Sequence, residues 1–90
     1  MPTVHLLIKG KVQGVFYRKT AKEVADNIGV KGWVRNTDAG DVEIIASSTQ
    51  EALQDFIDWC HVGPARANVT TVEVTTLPDQ PFQIFEVKRR

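Results

Sequence analysis

Apolar and polar residues alternate from Thr3 to Ile8, with Val4, Leu6 and Ile8 on one face and Thr3, His5 and Leu7 on the other. A period of two predicts a strand. From Tyr17 to Ile28 the period changes. Ala21, Val24, Ala25 and Ile28 recur at the spacing of one helical stripe, and Lys22, Glu23 and Asp26 take the wet side. Gly29 follows where a left-handed C-cap is needed. Val30 to Asn36 is apolar and β-rich, and Asp41 to Ser47 alternates again through Val42, Ile44 and Ala46. Between them Thr37-Asp38-Ala39-Gly40 has turn chemistry, so the two runs predict a hairpin. Ser48 and Glu51 fit a capping box with Ser48 as N-cap. They open a second helix to about His61, whose buried stripe is Leu53, Phe56, Ile57 and Cys60, and Gly63-Pro64 stops it. Two more strands are expected, over Val69 to Thr76 and, after Pro78 and Pro81, over Phe82 to Lys88.

The order β-α-β-β-α-β, with a short extra strand, fits a ferredoxin-like split βαβ sandwich of the α+β class. Both βα crossovers are expected to be right-handed. One mostly antiparallel sheet carries both helices on a single face. The other face is wet, in keeping with Thr71, Glu73 and Thr75 alternating with valines. The first two strands run parallel with the third between them. Their C-terminal ends, at the Gly10 to Tyr17 loop and at Arg35-Asn36-Thr37, therefore reach the same edge of the sheet.

Composition narrows the partners. Ninety residues are read as one domain spanning residues 1–90, large enough to bury roughly 60–65 % of the unfolded surface. Eleven basic residues balance eleven acidic ones. A net charge of zero gives no electrostatic reason to expect nucleic acid or an anionic membrane. One cysteine builds neither an internal disulfide nor a zinc site and suits a reducing cytosol. The N-terminal MPTVHLLIKG is too short in apolar residues for a signal segment or a span. The expectation is a cytoplasmic monomer.

Candidate chemistry concentrates in GKVQGVFYRK, Gly10 to Lys19. Gly10 and Gly14 allow a tight turn, and the turn feeds a helix whose leading N–H groups lack intrahelical partners. Arg18 sits in the first turn, where the helix dipole disfavours a cation by about 0.3–1 kcal/mol. A bound anion would reverse that sign, and an arginine fork beside several amides matches a set of phosphate oxygens. A solvated turn with a solvated arginine is the bland alternative. The loop is not a Walker A motif, because Gly14 is followed by Val15 and Phe16. Asn36 reads as a turn residue except for its expected place beside this loop. Asp38 and Asp41 are read as turn residues, Glu43 as a wet-face residue, Cys60 as a structural thiol, and His5 and His61 as satisfied or surface groups. Trp33 and Trp59 are read as core or edge residues, and Lys11 and Lys19 as background positive potential.

Ile8-Lys9-Gly10-Lys11-Val12-Gln13-Gly14-Val15-Phe16-Tyr17-Arg18 closely resembles the acylphosphatase signature, an aliphatic residue followed by Gly-x-Val-Gln-Gly-x-x-aromatic-Arg. A second family signature is met by Gly32, Trp33, Asn36, Gly40 and Val42, and Gly63-Pro64 with Ala67 and Val69 also fits. The resemblance covers the whole chain. Ser48 departs from it, since the family usually has glycine there; changed helix-cap chemistry is expected, with no loss of the site. The resemblance implies hydrolysis of small acyl phosphates to a carboxylate and inorganic phosphate, with no metal and no organic cofactor. It implies that Arg18 binds the phosphate and Asn36 orients the attacking water. The backbone amides of Gln13, Gly14, Val15, Phe16, Tyr17 and Arg18 would complete the cradle. The alternative is a non-catalytic ferredoxin-like binding or regulatory module. An RNA-recognition version is opposed by the charge balance and by Lys31-Gly32-Trp33-Val34-Arg35, which matches the RNA-stacking motif only briefly.

Overall fold

The computed structural model describes residues 1–89. Its elements are β1 (Thr3–Lys11), α1 (Tyr17–Ile28), β2 (Lys31–Asn36), β3 (Val42–Ser47), α2 (Gln50–Val62), β4 (Asn68–Leu77) and β5 (Phe85–Val87). The five strands form one sheet in the order β4-β1-β3-β2-β5. β3 pairs antiparallel with both β1 and β2, β4 pairs antiparallel with β1, and β5 runs parallel to β2. This is the α+β ferredoxin-like sandwich expected from the periodicities.

The alternation within each strand decides what faces the helices. Val4, Leu6 and Ile8 pair with Ala46, Ile44 and Val42, and Val34 pairs with Ile44 on the other side. All of these are buried, in one core with Ala21 and Ala25 of α1 and Leu53, Phe56 and Cys60 of α2. Both helices therefore cover the same face. Burying a side chain such as the fully enclosed Phe56 stabilises by roughly 1.5–3 kcal/mol. The opposite face carries His5, Trp33, Arg35 and Glu43, and the outward residues of β4, including Thr71, Glu73 and Thr75, are exposed.

Two sequence expectations are corrected. The N-cap of α2 is Thr49, not Ser48: the Thr49 side chain accepts from the Ala52 amide at 3.2 Å. Ser48 is buried and already engaged, its Oγ donating to the Gly29 carbonyl at 2.9 Å. Its hydroxyl thus joins the end of α1 to the start of α2, at the sheet end remote from the Gly10 loop. The last strand spans Phe85–Val87 and not Phe82 to Lys88, because the chain after Pro81 bends at residues 83–84 before it meets β2.

Tyr17, the first residue of α1, is fully buried. Its ring packs on Trp59 with centroids 5.3 Å apart, and its hydroxyl donates to the Cys60 carbonyl at 2.7 Å. The start of α1 is thereby fixed to α2. Burial, and then the neighbouring Cys60, drive the Tyr17 ionisation well above the ordinary phenol range. Burial pushes the Cys60 thiol up to about 12, with the Tyr17 hydroxyl pulling the other way. A raised native pKa means that the unfolded chain releases the proton first, so stability is complete below the ordinary value of 10.0 and falls as pH rises beyond it. Tyr17 is the one tyrosine in the chain, which makes the test clean. In an alkaline titration, tyrosinate absorbance should rise only together with the loss of native circular dichroism. A tyrosinate signal from a chain with intact dichroism would refute the assignment.

Candidate active site

The segment between β1 and α1 is built by four local constraints. A register shift between Lys9 and Gly10 bends β1 against β4, and Gly10 is required there because a Cβ would overlap the Asn68 carbonyl. Val12 and Val15 are buried and peg the loop to the core. Gly14 and Phe16 have φ of 74° and 65°, whereas Val15 and Tyr17 keep negative φ. Alternating handedness turns successive N–H groups toward one side, the geometry of an anion-binding nest. Phe16 is the N-cap of α1, and no side chain caps that end. Among the described residues, the amides of Gln13 to Arg18 donate to no other group.

The Gln13 side chain fastens this loop to the hairpin. Its Nε2 donates to the carbonyls of Thr37 and Asp41 at 2.8 and 2.9 Å. The hairpin turn is itself closed by the Thr37 amide donating to the Asp41 carbonyl at 2.9 Å. Two hydrogen bonds thus tie the loop to the hairpin.

Arg18 follows Tyr17 in the first turn of α1. Its Nη1 donates to the Lys88 carbonyl at 3.1 Å, just past β5. Lys88 is held in turn: its amide donates to the Val34 carbonyl at 2.8 Å, and its Nζ lies 4.9 Å from the centroid of the Trp33 ring. One of the five guanidinium donors is thus used to restrain the fork, and among the described residues no further hydrogen bond of the Arg18 guanidinium is formed.

Asn36 ends β2 and pairs with Val42, so it shares the helix-bearing face with Val34. Arg35 and Glu43 lie on the other face. Glu43 accepts from Arg35 Nε at 2.5 Å and contacts His5 Nε2 at 2.6 Å. Burial raises the Glu43 pKa, but the hydrogen bonds from His5 and Arg35 outweigh it and hold the carboxyl below its ordinary range. This carboxylate cannot reach the Asn36 side of the sheet, as expected for a wet-face residue, and His5 is a satisfied histidine.

Gly14, Phe16, Tyr17, Arg18 and Asn36 all line one open groove, with Val12 below and Lys19, Lys22, Glu23, Asp26, Val87 and Arg89 along its length. Its volume is about 1020 Å³, at the upper end for small-ligand sites. The arginine and the asparagine expected from the sequence are brought to it together with the loop. Gln13 and Val15 are not among its lining residues. Lys11 lies outside the lining. Among the described residues no cluster of three or more His, Cys, Asp or Glu side chains is arranged to hold a metal ion.

The acylphosphatase family model matches residues 4–87. The chain belongs to the acylphosphatase family. It is 51 % identical over 84 residues to the acylphosphatase of Acidovorax sp. (strain JS42), covering 93 % of this chain and 87 % of that one. It is 43 % identical over 84 residues to the acylphosphatase of Haloarcula marismortui, covering 93 % and 92 %. Among solved structures, acylphosphatase from Bacillus subtilis superimposes with a TM-score of 0.95 at 32 % identity, over 98 % of this chain and 99 % of that one. Acylphosphatases are hydrolases that act on small acyl phosphates, and the chain shares their function.

Two contributors to the site escape sequence reasoning. Gln13 stands within the family signature, but the service of its side chain to the hairpin joins positions 24 and 28 residues apart. The Lys88 carbonyl, 70 residues from Arg18, has no side-chain signal at all. Gln13→Ala removes both anchoring bonds at about 0.5–1.5 kcal/mol each. The variant should stay folded and show a roughly five- to tenfold higher inhibition constant for inorganic phosphate. An unchanged constant, by competition against an acyl phosphate, would show that the loop holds its shape without the clamp.

Proposed function

We propose that the chain hydrolyses the carboxyl–phosphate bond through the loop amides, Arg18 and Asn36, acting alone as a cytoplasmic monomer and releasing inorganic phosphate. The observation that carries this reading is the loop whose Gln13 to Arg18 amides have no partner among the described residues, feeding a groove lined by Gly14, Phe16, Tyr17, the Arg18 guanidinium and the Asn36 carboxamide. The amides and Arg18 bind the phosphoryl oxygens. Donors fixed in advance stabilise the charge that develops on them in the transition state. Asn36 holds a water through its carboxamide oxygen. The water oxygen forms a bond to phosphorus while the bridging oxygen leaves with the bonding electron pair as a carboxylate. The water's proton passes to a phosphoryl oxygen and then to solvent. A carboxylate leaves without protonation, so no strong general acid is needed, and an uncharged asparagine suffices to position the nucleophile. Residues 1–90 act as one domain in this reading. The exact balance of eleven acidic and eleven basic residues offers no polyanionic partner a strong attraction.

Hydrolysis of benzoyl phosphate, followed by ultraviolet absorbance with EDTA present, tests the reading. Charge-assisted hydrogen bonds contribute about 1.5–3 kcal/mol each, so Arg18→Ala should raise the phosphate inhibition constant by roughly ten- to a hundredfold and depress turnover further. Asn36→Ala should lower turnover by about a hundredfold or more while phosphate inhibition stays within about twofold. Equal phosphate affinity in wild type and Arg18→Ala removes the role given to the guanidinium.

A further inference from the structure

We infer that Phe16 forms the acyl-side wall of the groove and makes the chain selective for acyl phosphates whose acyl group is flat and apolar. The inference rests on the hydrolase reading above and deepens it. Among the described residues, Phe16 is the non-glycine position with positive φ, at φ 65° and ψ 23°. Left-handed backbone disfavours a bulky aromatic residue, and glycine would adopt it without penalty. The loop geometry therefore does not call for a phenylalanine. The core does not call for it either. Phe16 is 66 % exposed, and among the described residues the aromatic contacts join Tyr17, Phe56, Trp59 and Phe85 without it. What remains is its place on the groove beside Gly14, Arg18 and Asn36.

The groove itself points the same way. The phosphoryl group is accounted for by the loop amides and Arg18. The volume of about 1020 Å³ leaves room for a substantial second half. Lys22, the cation nearest the middle of α1, is already satisfied by Asp26 Oδ2 and by the Phe85 carbonyl, both at 2.9 Å. Lys19 and Arg89 line the groove together with Glu23, so charge alone does not select the acyl group, and the apolar lining decides. Phe16 and the partly exposed Val87 supply apolar surface along the groove. A planar acyl group can lie against an aromatic face, and one apolar contact discriminates by about 10- to 200-fold.

The test compares kcat/KM for benzoyl phosphate and acetyl phosphate in wild type, Phe16→Gly, Phe16→Leu and Phe16→Ala. The ratio between substrates, followed across variants, cancels their intrinsic reactivities. Phe16→Gly keeps the left-handed backbone without strain and removes the ring. It should lower the benzoyl-to-acetyl ratio by about tenfold or more, through KM for benzoyl phosphate. Any effect transmitted through the Phe16 amide to phosphate binding should fall on both substrates alike and cancel in the ratio. Phe16→Leu should retain part of the preference. An unchanged ratio in Phe16→Gly overturns the inference, as does an equal loss on both substrates, which would make Phe16 a loop-shaping residue. Should the wild type cleave neither substrate faster than buffer, the hydrolase reading itself fails, and this inference with it.

Discussion

Val42 pairs with Ile8 on one side and Asn36 on the other. That double register is the constraint from which the rest of the groove follows. Because β3 is antiparallel to both neighbours, β1 and β2 run parallel and end at the same margin of the sheet. Two strand spacings, roughly 10 Å in all, separate positions that are 28 residues apart in the chain. The same pairing decides faces. Asn36 inherits the helix side from Val42, while Arg35 and Glu43 are turned to the open side. A slip of one residue in β2 would exchange these faces, placing a cation in the groove and the carboxamide on the open side. The glycine in β2 protects the register, since a Cβ at Gly32 would collide with the carbonyl of Ile45.

Among the described residues, the fold then leaves the Gln13 to Arg18 main-chain donors without partners at that margin. An ordinary helix would spend a serine, threonine or aspartate on its N-cap; α1 has Phe16 as its N-cap and no acidic residue in its first turn. α2 shows the contrast, with Thr49 capping and Glu51 in the first turn. The left-handed Phe16 and the uncapped amides raise the free energy of the unliganded chain. The buried Val12, Val15 and Tyr17 and the Gln13 bonds hold the segment in place against that cost. The segment is thus held by its buried side chains while its amides stay unpartnered among the described residues.

The strands, helices and sheet order were legible because each periodic run is also a packing face: Ala21 and Ala25 reappear as buried residues of α1, and Val42, Ile44 and Ala46 as the buried face of β3. Gly29 capped α1 as its position required. The N-cap of α2 was misread by one residue because the sequence offers two adjacent hydroxyls, and only the tertiary contact from Ser48 to the Gly29 carbonyl decides between them. The length of β5 was misread because an aromatic and β-branched run cannot reveal where it first meets β2. That Arg18, Asn36 and the loop would meet at one margin was legible from the element order and the signature. The partners that orient them were not, since main-chain carbonyls such as that of Lys88 carry no residue-type information.

The bond from Arg18 to Lys88 explains why this position suits arginine and not lysine. A guanidinium has five donors in one plane. Giving one to the Lys88 carbonyl at 3.1 Å fixes that plane and still leaves donors for a second acceptor in the groove. An ammonium on a flexible stem would hold one acceptor at a time in an unfixed direction, and carbonyl and phosphoryl group would compete for it. The same bond eases an electrostatic conflict. A cation in the first turn of α1 faces the positive end of the helix dipole, and the Lys88 carbonyl offsets part of that repulsion in the unliganded site. In the proposed reaction the incoming phosphoryl group attracts guanidinium and helix end alike, so a local destabilisation of the free chain becomes a shared interaction in the loaded one. The cost of placing Arg18 there is then borne by the fold through β5 and recovered at the moment the substrate binds.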